Sequence, residues 1–325
     1  MRNVLQVLAA LMCSSVLVLP GSGQDLGAIQ DELSDGLSDL HFAKSLTGLI
    51  LVTEEVELSG AHYNFEGDED VEMSTIVFPF QKSLKPWGEG RMGLHLEGAL
   101  GYASANSQVD DLYNGQIPGL ETALDSDWVT YGGFFGIGPE LELRENLSVA
   151  ALVQLGLTRL ENDTDYSGPG AAVTAAITDG IAFNWDSLVG TLGPAVRVDW
   201  TRPLGEDHRL ELIGRYDLRW TETLEQDDPA QEFSSRSQLL TLRAELVGPT
   251  GWSLFEGPVG WRASAGYRGF LEGDLFGVDE LIVLGGSLEL DLGERLPVAN
   301  LVRANAAAIF GDQLTGWSVG LGLSL

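Results

Sequence analysis

Apolar and polar residues alternate along most of this chain, and the period is two. In 316–325, GWSVGLGLSL, Trp317, Val319, Leu321, Leu323 and Leu325 share one face of an extended strand; Gly316, Ser318, Gly320, Gly322 and Ser324 share the other. That period selects a strand over a helix. The segment 91–103 repeats it, with Met92, Leu94, Leu96, Leu100 and Tyr102 opposite Arg91, Gly93, His95, Glu97 and Ala99. It is clearest in 209–220, where Leu210, Leu212, Tyr216, Leu218 and Trp220 oppose Arg209, Glu211, Arg215, Asp217 and Arg219. Related patterns occupy 71–81, 128–142, 147–160, 181–200, 238–246, 261–271, 281–292 and 298–310. A first strand falls within 48–63, where Glu54 shares a face with Val52 and Val56 and blurs the register. Pro79 predicts a strand end or sheet edge. The count is about twelve strands.

The connections alternate too. Long polar stretches at 106–125 and 161–180 follow the third and fifth strands, whereas 143–146 and 202–208 are short turns. The segment 82–90, with Pro86 and two glycines, is another turn signal. The exception is 247–260, long and apolar where a short turn is expected.

A soluble sandwich also alternates, its apolar face turned to the core. The first residues separate the two readings. Arg2, the apolar run from Val4 to Leu19 and the small residues 20–23 make a secretory signal peptide at 1–23. No later segment is apolar for long enough to span a bilayer as a helix. A membrane protein without spanning helices must be a closed barrel, because lipid leaves no backbone group unpaired. Trp200, Trp220, Trp261 and Trp317 sit where aromatic girdles belong. The predicted fold is therefore all-β: a transmembrane antiparallel up-and-down barrel of about 12 strands over 48–325. An acidic, helix-prone leader precedes it at 24–47, with Leu26, Ile29, Leu33, Leu37 and Leu40 forming a stripe.

Charge refines the picture. Lys and Arg number 18 against 48 Asp and Glu, a net −30, which argues against nucleic acid as a partner. Cys13 is the one cysteine and leaves with the signal, so the mature chain has no disulfide and no Cys-ligated metal. Charges on the clean strands fall opposite the apolar face, as lipid requires. The predicted lumen lining is Arg91, His95, Glu97, Arg197, Asp199, Arg215, Asp217, Arg219, Arg243, Glu245, Arg262 and Arg303. Arg215, Arg219, Arg243 and Arg262 come from three consecutive strands and form one basic wall. The leader's Asp31, Glu32, Asp35 and Asp39 are candidates to plug the lumen against that wall. The other possibility is that the arginines pair with Glu211, Asp217 or Glu245 and the leader hangs free.

Motifs for chemistry are sparse. His41, His62, His95 and His208 form no metal-binding pair, and no nucleophile elbow or phosphate loop occurs. His95 lies two residues from Glu97, but no nucleophile or orienter completes a general base. Asp68 to Asp70 reads as a solvated loop or a Ca²⁺ ligand set. No enzyme, metal or cofactor is expected.

An exported chain of about twelve strands, a helix-prone segment before the first and an amphipathic strand at the end resembles an autotransporter translocator domain. With almost no passenger in front, it is most similar to the solitary outer-membrane autotransporter-like β-barrel family. Such barrels usually finish on an aromatic residue; this one finishes on Leu325. The resemblance implies Sec-type export to the outer membrane of a Gram-negative bacterium, with lipid and the outer-membrane assembly machinery as partners and a monomeric state. It implies no catalytic residues. Two functions stay open: a pore or translocator-type barrel with an Arg/acid-lined lumen, and a non-conducting surface barrel whose long loops bind a partner.

Overall fold

The computed structural model describes residues 30, 58–65, 71–87, 91–112, 121–255, 257–272, 278–291, 301–312 and 314–324. Its twelve strands are β1 (Leu58–Phe65), β2 (Val71–Trp87), β3 (Met92–Val109), β4 (Ala123–Arg144), β5 (Leu147–Ser167) and β6 (Trp185–Leu204), then β7 (His208–Gln226), β8 (Ser234–Leu254), β9 (Gly257–Glu272), β10 (Glu280–Asp291), β11 (Leu301–Gly311) and β12 (Leu314–Ser324). A helix, α1 (Ala171–Thr178), lies between β5 and β6. Each strand pairs antiparallel with its neighbours in chain order, and β12 returns to β1 with Ala61 opposite Ser318 and Tyr63 opposite Gly316. The sheet is a closed barrel. Closure leaves no open edge, the condition for a sheet in lipid.

The faces are inverted relative to a soluble β-protein. Leu100, Leu155, Leu157, Val319 and Leu321 point outward and are exposed, whereas Arg215, Asp217 and Glu245 are buried inside. An apolar exterior of this extent is incompatible with water on all sides. On β6 the outward residues Leu188, Leu192, Val196, Val198 and Trp200 form an unbroken apolar strip. At ~3.3 Å per residue and ~40° of tilt, that strip rises about 30 Å, the thickness of a hydrocarbon core. Trp220 and Trp317 mark the strip's edge at the long-loop end, and Trp200 and Trp261 mark its opposite edge. Above the first edge the outward face turns polar: Asp125 and Asp127 on β4, Arg159, Glu161, Asp163 and Asp165 on β5, Asp186 on β6. There Tyr131 donates to Glu161 and Arg159 pairs with both Glu161 and Asp186.

Several strands outrun their alternation. β2 continues to Trp87 through the expected turn at 82–90, and β5 takes the first seven residues of the expected loop at 161–180. Beyond the lipid both faces meet water or loops, so the apolar–polar alternation fades while backbone pairing persists. Pro79 does not end β2. Pairing with β1 reaches only Val77 among the described residues, so the missing N–H of Pro79 lies past that ladder. The apparent long connection at 247–260 resolves the same way. β8 runs to Leu254 and β9 starts at Gly257. The connections after β4, β6 and β8 then share one end of the barrel, and those at 110–122, 168–184 and 227–233 share the other.

Two Gly-Pro pairs interrupt the ladder inside the wall. At Gly138–Pro139 and Gly193–Pro194 two pairs drop out of the ladder to the next strand while the register on either side is kept, since proline has no N–H to give. The glycines let the next strand close in: a Cβ on Gly193 would stand 1.9 Å from the Leu218 carbonyl oxygen. The signal peptide, the start of the expected first strand at 48–57, the plug carboxylates Asp31, Glu32, Asp35 and Asp39, and the patch Asp68–Asp70 lie outside the described residues.

Candidate functional site

The lumen has two halves of opposite character. Toward the long-loop end its wall is apolar: Tyr63, Met73, Ala105, Leu124, Trp128, Leu160, Trp185, Leu239, Phe270, Leu281, Ile309 and Leu314 are all buried. Alternation locates these inward positions but does not foretell that they would be greasy, because inward residues of a membrane barrel are expected to be polar. What buries them is loop. Leu112, Phe233 and Val278 join them from three connections, and Ile177, Ile181, Ala182 and Phe183 join from α1 and the residues after it. The mouth is filled by a core of the kind found inside soluble domains.

The loop carrying α1 is latched in place. Asn184, in the left-handed region at φ 55, donates through Nδ2 to Asp179 and to the Thr164 carbonyl. Its Oδ1 accepts from the Thr164 N–H at 2.6 Å. Asparagine tolerates that backbone region better than most side chains. Tyr166 donates to Asp179 at 2.7 Å, and Thr122 and Thr174 hydroxyls meet at 3.1 Å with both residues fully buried. From the following loop, Gln231 donates to the Gly180 and Ile181 carbonyls. The described leader residue Gln30 donates to the Ala176 carbonyl of α1 at 3.0 Å.

Toward the short-turn end the lumen is ionic. Arg215 is the centre of one cluster: it holds Glu97 with two bonds of 2.8 Å and Asp217 with bonds of 2.8 and 2.9 Å. Glu97 lies on β3 and Arg215 on β7, so this truss crosses the lumen. Gln154 of β5 donates to Glu97, and Arg219 approaches Asp217 at 3.5 Å with its guanidinium over the Phe134 ring. Arg262 is the centre of the second cluster, pairing with Glu211, Glu245 and Glu289 on the neighbouring strands β7, β8 and β10. Arg243 adds to Glu245 and Arg303 to Glu289. Arg197 grips Asp199 beside them. Within the wall, each named arginine therefore meets a carboxylate.

Arg91 does not join the lumen. It sits in the turn before β3, exposed at the rim, where the inward parity of its position no longer has a lumen to face. Glu140 joins the group, standing 3.7 Å from His95, and Glu289 lies inward as the alternation on β10 implies. Inward parity within β10 and β4 is the signal that locates both.

His95 is 1% exposed, its Nδ1 3.2 Å from Ser83 Oγ and its Nε2 3.7 Å from Glu97. The second distance exceeds a hydrogen bond, and Glu97 is committed to Arg215, so no nucleophile–base–orienter relay is assembled. Among the described residues no group of three His, Asp or Glu side chains is placed to hold a metal ion.

The family model described as the solitary outer membrane autotransporter beta-barrel domain matches residues 68–253, more than half of the chain. The chain belongs to this family. The solved transport unit of the autotransporter AIDA-I from Escherichia coli is similar in fold, with a TM-score of 0.51 at 10% identity over 89% of this chain and 97% of that one. The translocator domain of autotransporter NalP from Neisseria meningitidis matches at 13% identity and TM-score 0.47, covering 89% of this chain and 98% of that one. No curated protein sequence matches significantly. The family places this barrel in an outer membrane and so gives the apolar strip its solvent, lipid.

Proposed function

We propose that this protein is a translocator-type barrel of the Gram-negative outer membrane, held closed at rest by its loops and threaded by its own leader. The observation that carries this reading is the bond from Gln30 to Ala176. It puts Gln30 at the long-loop end, whereas β1 begins at Leu58, opposite Leu321 and toward the short-turn end. On this reading the 27 residues from 31 to 57 connect the two ends. Outside the barrel is lipid, hostile to Asp31, Glu32, Asp35 and Asp39; inside is a polar lumen. In helical form 27 residues reach about 40 Å, enough for that passage. The leader's leucine stripe suits the apolar half of the lumen, and its carboxylates suit the ionic half.

This reading keeps 1–23 as a Sec-type signal, 24–47 as leader and 48–325 as barrel. The protein is non-enzymatic and monomeric, and it is inserted by the outer-membrane assembly machinery with its long loops outside. Bilayer recordings test it. Wild type conducts little, and removing residues 24–44 raises conductance. Equal conductance with and without the leader overturns the plug. The filled mouth also favours a second reading, a non-conducting surface barrel whose loops bind a partner. In that case both proteins stay silent although folded.

A further inference from the structure

Between the two ionic clusters the lumen holds an open cavity of about 120 Å³. Five guanidinium-bearing residues line it, Arg197, Arg215, Arg243, Arg262 and Arg268, with small side chains such as Ser264 and Ser287 between them. No carboxylate-bearing residue lines it. The acids sit behind the arginines: the side chains of Asp217, Glu245, Glu97 and Glu289 are between 0% and 8% exposed. Salt bridges use only part of the guanidinium donors. Arg262 bonds through Nε and Nη1, Arg197 through Nε and Nη2, and Arg243 pairs through Nε. Among the described residues, Nη2 of Arg262, Nη1 of Arg197 and both terminal nitrogens of Arg243 make no hydrogen bond.

We propose that this cavity binds a small diffusible oxyanion, such as a tricarboxylate or a phosphate, through the outer N–H groups of Arg197, Arg243 and Arg262. A guanidinium offers five donors in a planar fork, and carboxylate or phosphate oxygens fit that fork. The acids behind each arginine fix its plane, so the free edge is held toward the cavity before any ligand arrives. Preorganisation of this kind reduces the ordering cost of binding. A wall built only to neutralise its own charge has no need to leave donors of three arginines, drawn from β6, β8 and β9, aimed at one space.

Leader carboxylates carry the same chemistry, and the test separates them from a free solute. Citrate and inorganic phosphate are titrated into the folded full-length protein by calorimetry, with sodium chloride holding ionic strength constant. Saturable binding by the full chain is expected. Arg243→Met should weaken it by at least about tenfold, the size of one lost charged hydrogen bond. Arg243→Lys keeps the charge and loses the fork, and it too should bind more weakly. If Arg243→Met fails to fold, the lysine variant carries the comparison. Three results overturn the proposal: no binding by either probe, binding that Arg243→Met and Arg243→Lys leave unchanged, and binding that appears only when residues 24–44 are removed. The last would show that the leader fills the site. The first two results leave the plug reading untouched, the third supports it, and the conductance comparison decides that reading by itself.

Discussion

Replacing Arg215 by methionine removes the centre of the lumen truss while keeping the unbranched stem of the side chain. Arg215 donates four hydrogen bonds of 2.8–2.9 Å, two to Glu97 and two to Asp217. The Asp217 side chain is 0% exposed and that of Glu97 6%, so neither can turn to bulk water once the guanidinium is gone. Breaking a buried ion pair from one side costs about 3–5 kcal/mol, because a charge is left buried without its partner. Glu97 keeps Gln154 and Asp217 keeps Arg219 at 3.5 Å, but both lose their closest cation, so Arg215→Met should lose about the lower figure. Removing all three charges is different. Arg215→Met with Glu97→Gln and Asp217→Asn strands no carboxylate, and although the buried Arg219 loses its carboxylate at 3.5 Å, the triple variant should be more stable than the single one. Reversible urea unfolding in lipid vesicles, followed by tryptophan fluorescence, measures this from the midpoint shift at constant slope. A loss below about 1 kcal/mol for the single variant would refute the reasoning, as would a triple variant no more stable than the single. Either result would mean that water enters the truss and screens it.

Other expectations follow from separate parts of the fold. Gly193→Ala should destabilise by about 3 kcal/mol or more, since its Cβ meets backbone at 1.9 Å, whereas Gly214→Ala, nearest atom 3.7 Å, should be tolerated; equal stability of the two in the same urea assay would contradict this. Asn184→Ala loses three hydrogen bonds and a favourable left-handed residue, about 2–3 kcal/mol of loop stability, so proteinase K added to intact cells should cut within 168–184 in the variant and spare wild type. Deleting 317–325 removes the partner of β1 and should abolish the heat-modifiable gel shift of the inserted protein; a truncated chain that still inserts would mean closure does not rest on β12.

Much of the barrel is legible in the chain because lipid imposes a strict rule. Every outward residue inside the hydrocarbon must be apolar, so Leu188 to Trp200 or Met92 to Tyr102 announce both strand and register. Outside the lipid that rule lapses, and the lengths of β2, β5 and β8 were not readable for that reason. The residues 247–260 misled because apolar character was taken for a loop, when Val247 points inward and pairing continues to Leu254. Parity is the signal on which the expected inward charges rest, and it does not reach Arg91, which sits in the turn before β3.

What sequence by itself determined, then, is which face of each strand meets lipid, and hence the strand count and the antiparallel order. Tertiary structure alone decided what those inward residues meet. Glu97 and Arg215 are separated by 118 positions, and no local pattern says that they clasp across the lumen. Nor does alternation say that Ile177, Phe183 and Phe233 leave their loops to cover Trp128, Leu160 and Leu281. The rule for the outside is set by a uniform solvent acting on each residue in turn. The inside has no such solvent, and its partners are chosen only when the closing sheet brings distant strands face to face.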